Sequence, residues 1–300
     1  MINISTMNSP VNSKPAPGAG VTVESLLLGN DLPRGERTIL LSHALRIRRE
    51  SILTHPTMTV PTVIAARFQQ LVERRMNGEP IAYLVGSREF FGLDLRVTPD
   101  VLIPRPDTET LVEAALSRIP EETATRVLDL GTGSGAIAIA LARNRPRSHV
   151  DGFDVSATAV ALAGANARAH GLSNVQFSYA DWYSACAEST YDVIVSNPPY
   201  IPAADPHLMA GDLRFEPPIA LTPGDDGLSA IRLIVAGAGR YLLRGGWLLF
   251  EHGYDQADAS RALMAEAGFV DIATIRDLSG IERVCEGRIA APAASRPSGR

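Results

Sequence analysis

Arg126–Ala142 reads RVLDLGTGSGAIAIALA: a short apolar strand, a turn with glycine at Gly131, Gly133 and Gly135, and a helix of small residues. Glycines let a backbone turn sharply and come close to a ligand. A helix that starts directly after them offers free N–H groups and the positive end of its dipole. The stretch predicts one strand–loop–helix unit of an α/β fold. Its loop, Gly131-Thr132-Gly133-Ser134-Gly135, is a candidate cradle for a nucleotide-type cofactor. The spacing is GxGxG rather than the GxGxxG of dinucleotide enzymes, which sets a nicotinamide dehydrogenase far behind. Alone, such a turn is equally compatible with a structural role.

The same rhythm continues downstream. HVDGFDV, VQFSY, YDVIVS, GWLLFE, FVDIATI and ERVCEGRI read as strands, with helix-like stretches between most of them. That alternation predicts a mostly parallel, doubly wound sheet. The last two strands have no helix between them and are expected to pair as an antiparallel edge. The second strand ends at Asp154, 23 residues after Gly131, where a carboxylate can accept both hydroxyls of a ribose. The competing reading is a cap for the helix SATAVALAGANA. Asp181 and Trp182 follow the third strand and can flank the edge and face of an adenine, or Trp182 can be partly buried in the core.

The fourth strand ends in Asn197-Pro198-Pro199-Tyr200. In open α/β sheets ligands bind beyond the carboxyl ends of the strands. Asn197 brings an amide acceptor, the Pro198 carbonyl a second acceptor, and Tyr200 a π-face. Two acceptors can converge on one substrate NH₂ and hold a planar group while its nitrogen is attacked. The bland alternative is a proline-rich turn.

These residues resemble S-adenosylmethionine-dependent methyltransferases acting on amino nitrogens, in which [ND]PPY clamps the substrate. More closely, the chain resembles the release-factor glutamine methyltransferases. The matching stretches are EFFGLDLRVTPDVLIPRPDTETLVE, VLDLGTGSGAIAIALA, SNPPYIP, GDLRFEPPIAL, GDDGL and GGWLLFEHGYDQ, within Val21 to Ile289. The resemblance implies a Rossmann-like class I methyltransferase sheet with a small N-terminal helical domain. It implies S-adenosylmethionine as cofactor, held by Gly131, Thr132, Gly133, Ser134, Gly135, Asp154, Trp182 and Asn197. It implies as substrate the GGQ glutamine of bacterial class-1 peptide-chain release factors, clamped by Asn197, Pro198, Pro199 and Tyr200, with Asn197, Pro198 and Tyr200 catalytic. The N-terminal domain and the following hairpin would help to grip the release factor.

The expected organisation is a disordered leader over 1–20, a helical domain over 21–88, a hairpin linker over 89–103, the methyltransferase domain over 104–290 and a disordered tail over 291–300. In PTVIAARFQQLVERRMNG, Ile64, Phe68, Leu71 and Val72 share one helix face, with Pro61 and Thr62 at its start and Gly78 at its end. RTILLSHALRIRRESIL reads as a second helix with Arg46, Arg48 and Arg49 near its end, a solvated face or else a docking patch. EFFGLDLRVTPDV reads as a hairpin. In IPRPDTETLVEAAL, Asp107 or Thr108 is expected to cap the helix.

Composition limits the rest. The 300-residue chain carries a net charge of −5, with 45% apolar and 20% charged residues. That is globular, and it weighs against a protein that wraps nucleic acid. Cys186 and Cys285 form no metal or disulfide pattern. No signal peptide or membrane span is legible, so a cytoplasmic protein without a metal, a membrane or a stable nucleic-acid partner is expected. Six histidines form no catalytic group, and His207 and His252 read as surface or structural residues. Glu251 either lies near the site or anchors a turn. Asp212, Arg214 and Glu216 either close over substrate or form structural ion pairs. The rivals are a DNA adenine methyltransferase, which would flip its base into the pocket, and a non-catalytic docking module.

Overall fold

The computed structural model describes residues 20–29, 31–188 and 190–291. The leader and tail readings therefore lie, apart from Gly20 and Ala291, outside the described residues. The chain divides into two compact units, 1–84 and 85–300.

The first unit is helical: α1 Val23–Leu27, α2 Arg34–Leu45, α3 Arg49–Thr54, α4 Thr62–Met76 and α5 Ile81–Val85, the last running to the unit boundary. Phe68, Leu71 and Val72 of α4 are buried with Leu40, Leu41 and Ile52, while Ile64 is half-buried. Pro61 is the N-cap of α4. At its far end Gly78 N–H donates to the Arg75 carbonyl (2.8 Å) and Glu79 N–H to that of Arg74 (3.2 Å), the paired bonds that close a helix when the residue past its cap turns left-handed.

The single helix expected over 37–53 is two helices. Arg46 takes a left-handed conformation (φ 57°), which no continuing helix tolerates. The Ser42 hydroxyl donates to the Ile47 carbonyl at 2.5 Å and stitches the turn. Arg46, Arg48 and Arg49 are exposed and straddle this break rather than ending one helix.

The second unit opens with an antiparallel hairpin, β1 Ser87–Phe90 and β2 Leu93–Arg96. Its two-residue turn, Phe91-Gly92, has φ of 51° and 74°, the twist that suits hairpin strands. Seven further strands form one sheet among the described residues: β3 Arg126–Leu130, β4 His149–Asp154, β5 Val175–Tyr179, β6 Tyr191–Ser196, β7 Leu242–Glu251, β8 Phe269–Arg276 and β9 Glu282–Ile289. Their order is β5-β4-β3-β6-β7-β9-β8. The first five run parallel, and β9 pairs antiparallel with both β7 and β8. Strand β7 starts four residues before the expected GWLLFE, because Leu242 pairs with Tyr191 ahead of an irregularity in register.

Strand residues alternate between two cores, as a period of two dictates. Val127, Val193, Val195 and Leu249 face one cluster with α6 (Glu109–Arg118) and α7 (Ala136–Asn144). Leu128, Leu130, Ile194, Leu248 and Phe250 face the other with α9 (Ser229–Tyr241) and α10 (Ala257–Glu266). Helix α8 (Ala157–Ala169) joins β4 to β5. Both cysteines are free and buried. Among the described residues no helix is long and apolar enough to cross a membrane, and no group of metal-ligating side chains is assembled.

Candidate active site

The strand order reverses direction between β3 and β6, which opens a crevice at their carboxyl ends. A cleft of about 420 Å³ lies there, within the size range of small-ligand sites. Gly131 to Ser134, Asp154, Asp181, Trp182, Asn197 and Pro199 line it, together with Pro104, Arg105 and Thr108. A second pocket of about 60 Å³ is lined by Leu102, Arg105, Asn197, Pro198, Tyr200 and Leu213. Asn197 and Arg105 line both. Gly135 lines neither; it is the N-cap of α7.

The glycine loop differs from expectation in one chemical respect. Its N–H groups are largely engaged within the fold. Gly131 and Thr132 both donate to the Phe153 carbonyl (2.9 Å each), Gly135 donates to that of Thr132 (2.8 Å), and Gly133 donates to Asp154 Oδ2 (2.8 Å). A pyrophosphate would need those donors free. The loop therefore suits a nucleoside without phosphates. A Cβ built on Gly131 or Gly133 meets nothing within 4 Å, so the space over the loop is open to a ligand. This cradle and the Asp154 carboxylate fit a nucleoside-type cofactor.

Asp154 does two jobs locally. Oδ2 accepts from Gly133, and Oδ1 accepts from Ser156 N–H at 2.8 Å. The cap of α8 is Ser156, whose hydroxyl accepts from Ala159 N–H at 3.2 Å. Asp154 thus braces the loop against the helix start, and each oxygen keeps a lone pair for a ligand hydroxyl. Burial pushes its carboxyl up from the ordinary value, and the two N–H donors pull the other way. Beneath the loop Thr132 donates to Asp129 at 2.6 Å, and burial raises the Asp129 carboxyl to about 7. Trp182 lines the cleft and also packs against the second core.

The expected cap at Thr108 is absent: Thr108 is the N-cap residue of α6 but makes no side-chain cap bond, and Asp107 lies within the preceding turn, Pro106–Thr108. The Thr108 hydroxyl is drawn instead to the buried Glu251, donating to Oε2 at 2.7 Å and accepting from Asn197 Nδ2 at 3.0 Å. Tyr200 donates its hydroxyl to Glu251 Oε1 at 2.9 Å. Glu251 therefore lies directly behind two lining residues, Thr108 and Tyr200, and does not merely anchor a turn. Burial raises its carboxyl, and the two hydroxyls and Arg283 oppose that rise.

Glu216 resolves as a structural ion pair. It is buried, meets Arg105 at 2.5 Å and accepts from Ile103 N–H at 3.3 Å. His207 is exposed beside Asp205, and His252 is buried with Nδ1 on the Gly253 carbonyl (2.8 Å). Two supports escaped the sequence reading. Asn166 Nδ2 donates to the carbonyls of Ser134 (2.9 Å) and Arg96 (3.0 Å), tying the glycine loop to β2. Gln256 Nε2 donates to the Tyr200 carbonyl at 3.0 Å. A lone buried amide leaves no pattern in a sequence, although GGWLLFEHGYDQ did contain Gln256.

Residues 107–212 match a methyltransferase small domain, and residues 23–86 match the PrmC N-terminal domain. The chain is 51% identical over 257 residues to a release factor glutamine methyltransferase of Xylella fastidiosa, covering 86% of this chain and 94% of that one. It is 50% identical over 266 residues to one of Bordetella pertussis, covering 88% and 98%. In fold, it resembles a methyltransferase from Pyrococcus furiosus with a TM-score of 0.50 at 18% identity, covering 73% of this chain and 97% of that one.

Proposed function

The chain belongs to the release factor glutamine methyltransferase family, and from that premise we propose that it transfers a methyl group from S-adenosylmethionine to the side-chain amide nitrogen of the GGQ glutamine in class-1 release factors, in the cytoplasm. The observation that carries this reading is Asn197, which lines both the large cleft and the small pocket. A cofactor in the first and a slender amide side chain in the second would meet at that residue.

The cofactor, when bound, supplies a methyl group activated by a sulfonium. Asp154 would accept from its ribose hydroxyls, the glycine loop would lie against its sugar, and Trp182 would cover its adenine. The harder problem is the nucleophile. An amide nitrogen shares its lone pair with the carbonyl, a resonance reflected in a rotation barrier of ~18–20 kcal/mol. Asn197 Oδ1 and the Pro198 carbonyl would take the two N–H hydrogens of the substrate amide and aim its nitrogen. Both acceptors also favour the positive charge that develops on nitrogen as the bond forms. Holding the partners aligned supplies much of the acceleration. No strong base is required, since an N-alkylated amide cation gives up its proton readily.

The test is methyl transfer from labelled S-adenosylmethionine to three acceptors: a purified release factor, the same factor with GGQ changed to GGA, and duplex DNA. Label on the intact factor alone is the expected result. Label on DNA would mean that the motif clamps adenine and would overturn the proposal.

A further inference from the structure

We propose that Glu251 and Thr108 are positioning residues that fix which end of the Asn197 amide faces the substrate; this rests on the transfer reaction proposed above. An asparagine amide can turn over about its last bond with little change in shape, exchanging an acceptor for a donor. Only one of the two orientations serves here. With Oδ1 toward the substrate, Asn197 accepts from its NH₂ group. With Nδ2 there, it presents hydrogens to hydrogens and repels the charge that forms.

The chain of hydrogen bonds behind Asn197 breaks this symmetry. Glu251 is 1% exposed at the end of β7. Its carboxylate has acceptors only, and both oxygens are occupied by hydroxyl donors, Tyr200 on Oε1 and Thr108 on Oε2. The Thr108 hydroxyl has one hydrogen, and Glu251 takes it. Thr108 therefore faces Asn197 with a lone pair and can only accept, which it does from Nδ2 at 3.0 Å. Oδ1 is left for the ligand. Were the amide reversed, Thr108 would have to turn its hydrogen away from Glu251. A buried carboxylate oxygen would then face a lone pair, a costly arrangement in a low-dielectric interior. The same carboxylate fixes the Tyr200 hydroxyl, so one buried group sets both ends of the Asn197–Tyr200 clamp.

Three substitutions test this, each assayed for kcat and KM with release factor, for cofactor affinity by calorimetry and for cooperative melting. Glu251→Gln keeps the shape but adds a donor, which lets Thr108 accept from the introduced amide and release its own hydrogen toward Asn197. Thr108→Val keeps the volume and removes the relay. Thr108→Ser keeps the relay. The expected result is a fall in kcat of about 10- to 100-fold in the first two, the size of one lost buried partner, with KM and cofactor affinity within about threefold, and recovery of most of kcat in Thr108→Ser. A normal kcat in Glu251→Gln overturns the proposal, and so does a Thr108→Ser variant as impaired as Thr108→Val. If Thr108→Val does not fold, a Thr108→Ser variant as impaired as Glu251→Gln overturns the proposal in its place. Wild-type protein that leaves the release factor unlabelled would overturn the function itself, and this inference with it.

Discussion

Asn197 and Asp154 line the same cleft, yet their failures are expected to look different. Asn197→Ala removes an acceptor that acts on the reacting nitrogen. It should lower kcat by about 100-fold or more, the scale of losing one preorganised polar contact to developing charge, while cofactor affinity stays within a few-fold. Asp154→Ala removes a ribose acceptor and the brace on Gly133, so calorimetry should show weakened cofactor binding first. Near-normal turnover in the one, or unchanged affinity in the other, would reassign that residue. Asp129 gives a third signature. Its buried carboxyl is raised from 3.8 to about 7, so between these values the native state holds a proton that the unfolded chain has released. The stability this site confers is complete below the lower value. It falls as pH rises toward the upper one, by at most about 1.4 kcal/mol per pH unit, and is level beyond. Asp129→Asn should lack that slope, so urea unfolding across pH 4 to 7 should show the variant gaining on the wild type. A constant difference would place Asp129 at its ordinary value. Sequence pointed to Asn197 and Asp154, both of which line the cleft, because Asp154 ends one legible strand and Asn197 follows another. It misplaced Thr108, whose local signal is that of a cap, because the partner that captures its hydroxyl lies 143 residues away.

The clamp depends on the elements behind it as much as on its own residues. The segment GDDGL passes so close to Asn197–Tyr200 that a Cβ on Gly227 would lie 2.4 Å from the Tyr200 carbonyl oxygen and 2.8 Å from Gln256 Nε2. Gly227 also has φ of 71°. Gly92, in the hairpin turn, has a similar φ of 74° but nothing within 4 Å of a built Cβ. The pair separates backbone strain from crowding. Gly92→Ala should cost only the left-handed penalty, roughly 1–2 kcal/mol, and leave kcat near normal. Gly227→Ala should add an overpacking cost of about 1–3 kcal/mol and lower kcat by displacing Tyr200. Equal melting temperatures and equal kcat in the two variants would show that the Gly227 contact is slack. Strands β3, β4 and β6 were legible because apolar runs bounded by turn residues occupy both faces of a buried sheet. The break in the first unit was not, since RTILLSHALRIRRESIL keeps helical spacing straight through Arg46, and it is the left-handed Arg46 and the bonds around Ser42 that show the chain turning there.

The parallel, doubly wound sheet follows from the alternation of helices and strands, whereas the strand order comes from the structure; a cleft at a switch in that order belongs to any sheet wound in this way. What such a cleft transforms depends on loops that no periodicity describes, which is why the stretch from Asn197 to Leu228 was read through motifs rather than elements. The division into units has its own consequence. All residues lining the 420 Å³ cleft fall between Phe90 and Leu233, inside the unit 85–300. The alternating strand residues give that unit two cores of its own, and over 200 residues are ample for an independent domain. A chain of residues 85–300 should therefore fold, melt cooperatively and bind S-adenosylmethionine within a few-fold of the full protein. If the helical unit 1–84 serves to grip the release factor, as the family resemblance implies, its removal should raise KM for the factor by about tenfold or more while kcat at saturation holds. That is the pattern of binding contacts remote from, and indifferent to, the transition state. Loss of kcat with KM unchanged would mean that the helical unit shapes the chemistry, and the clamp could then no longer be explained from the second unit alone.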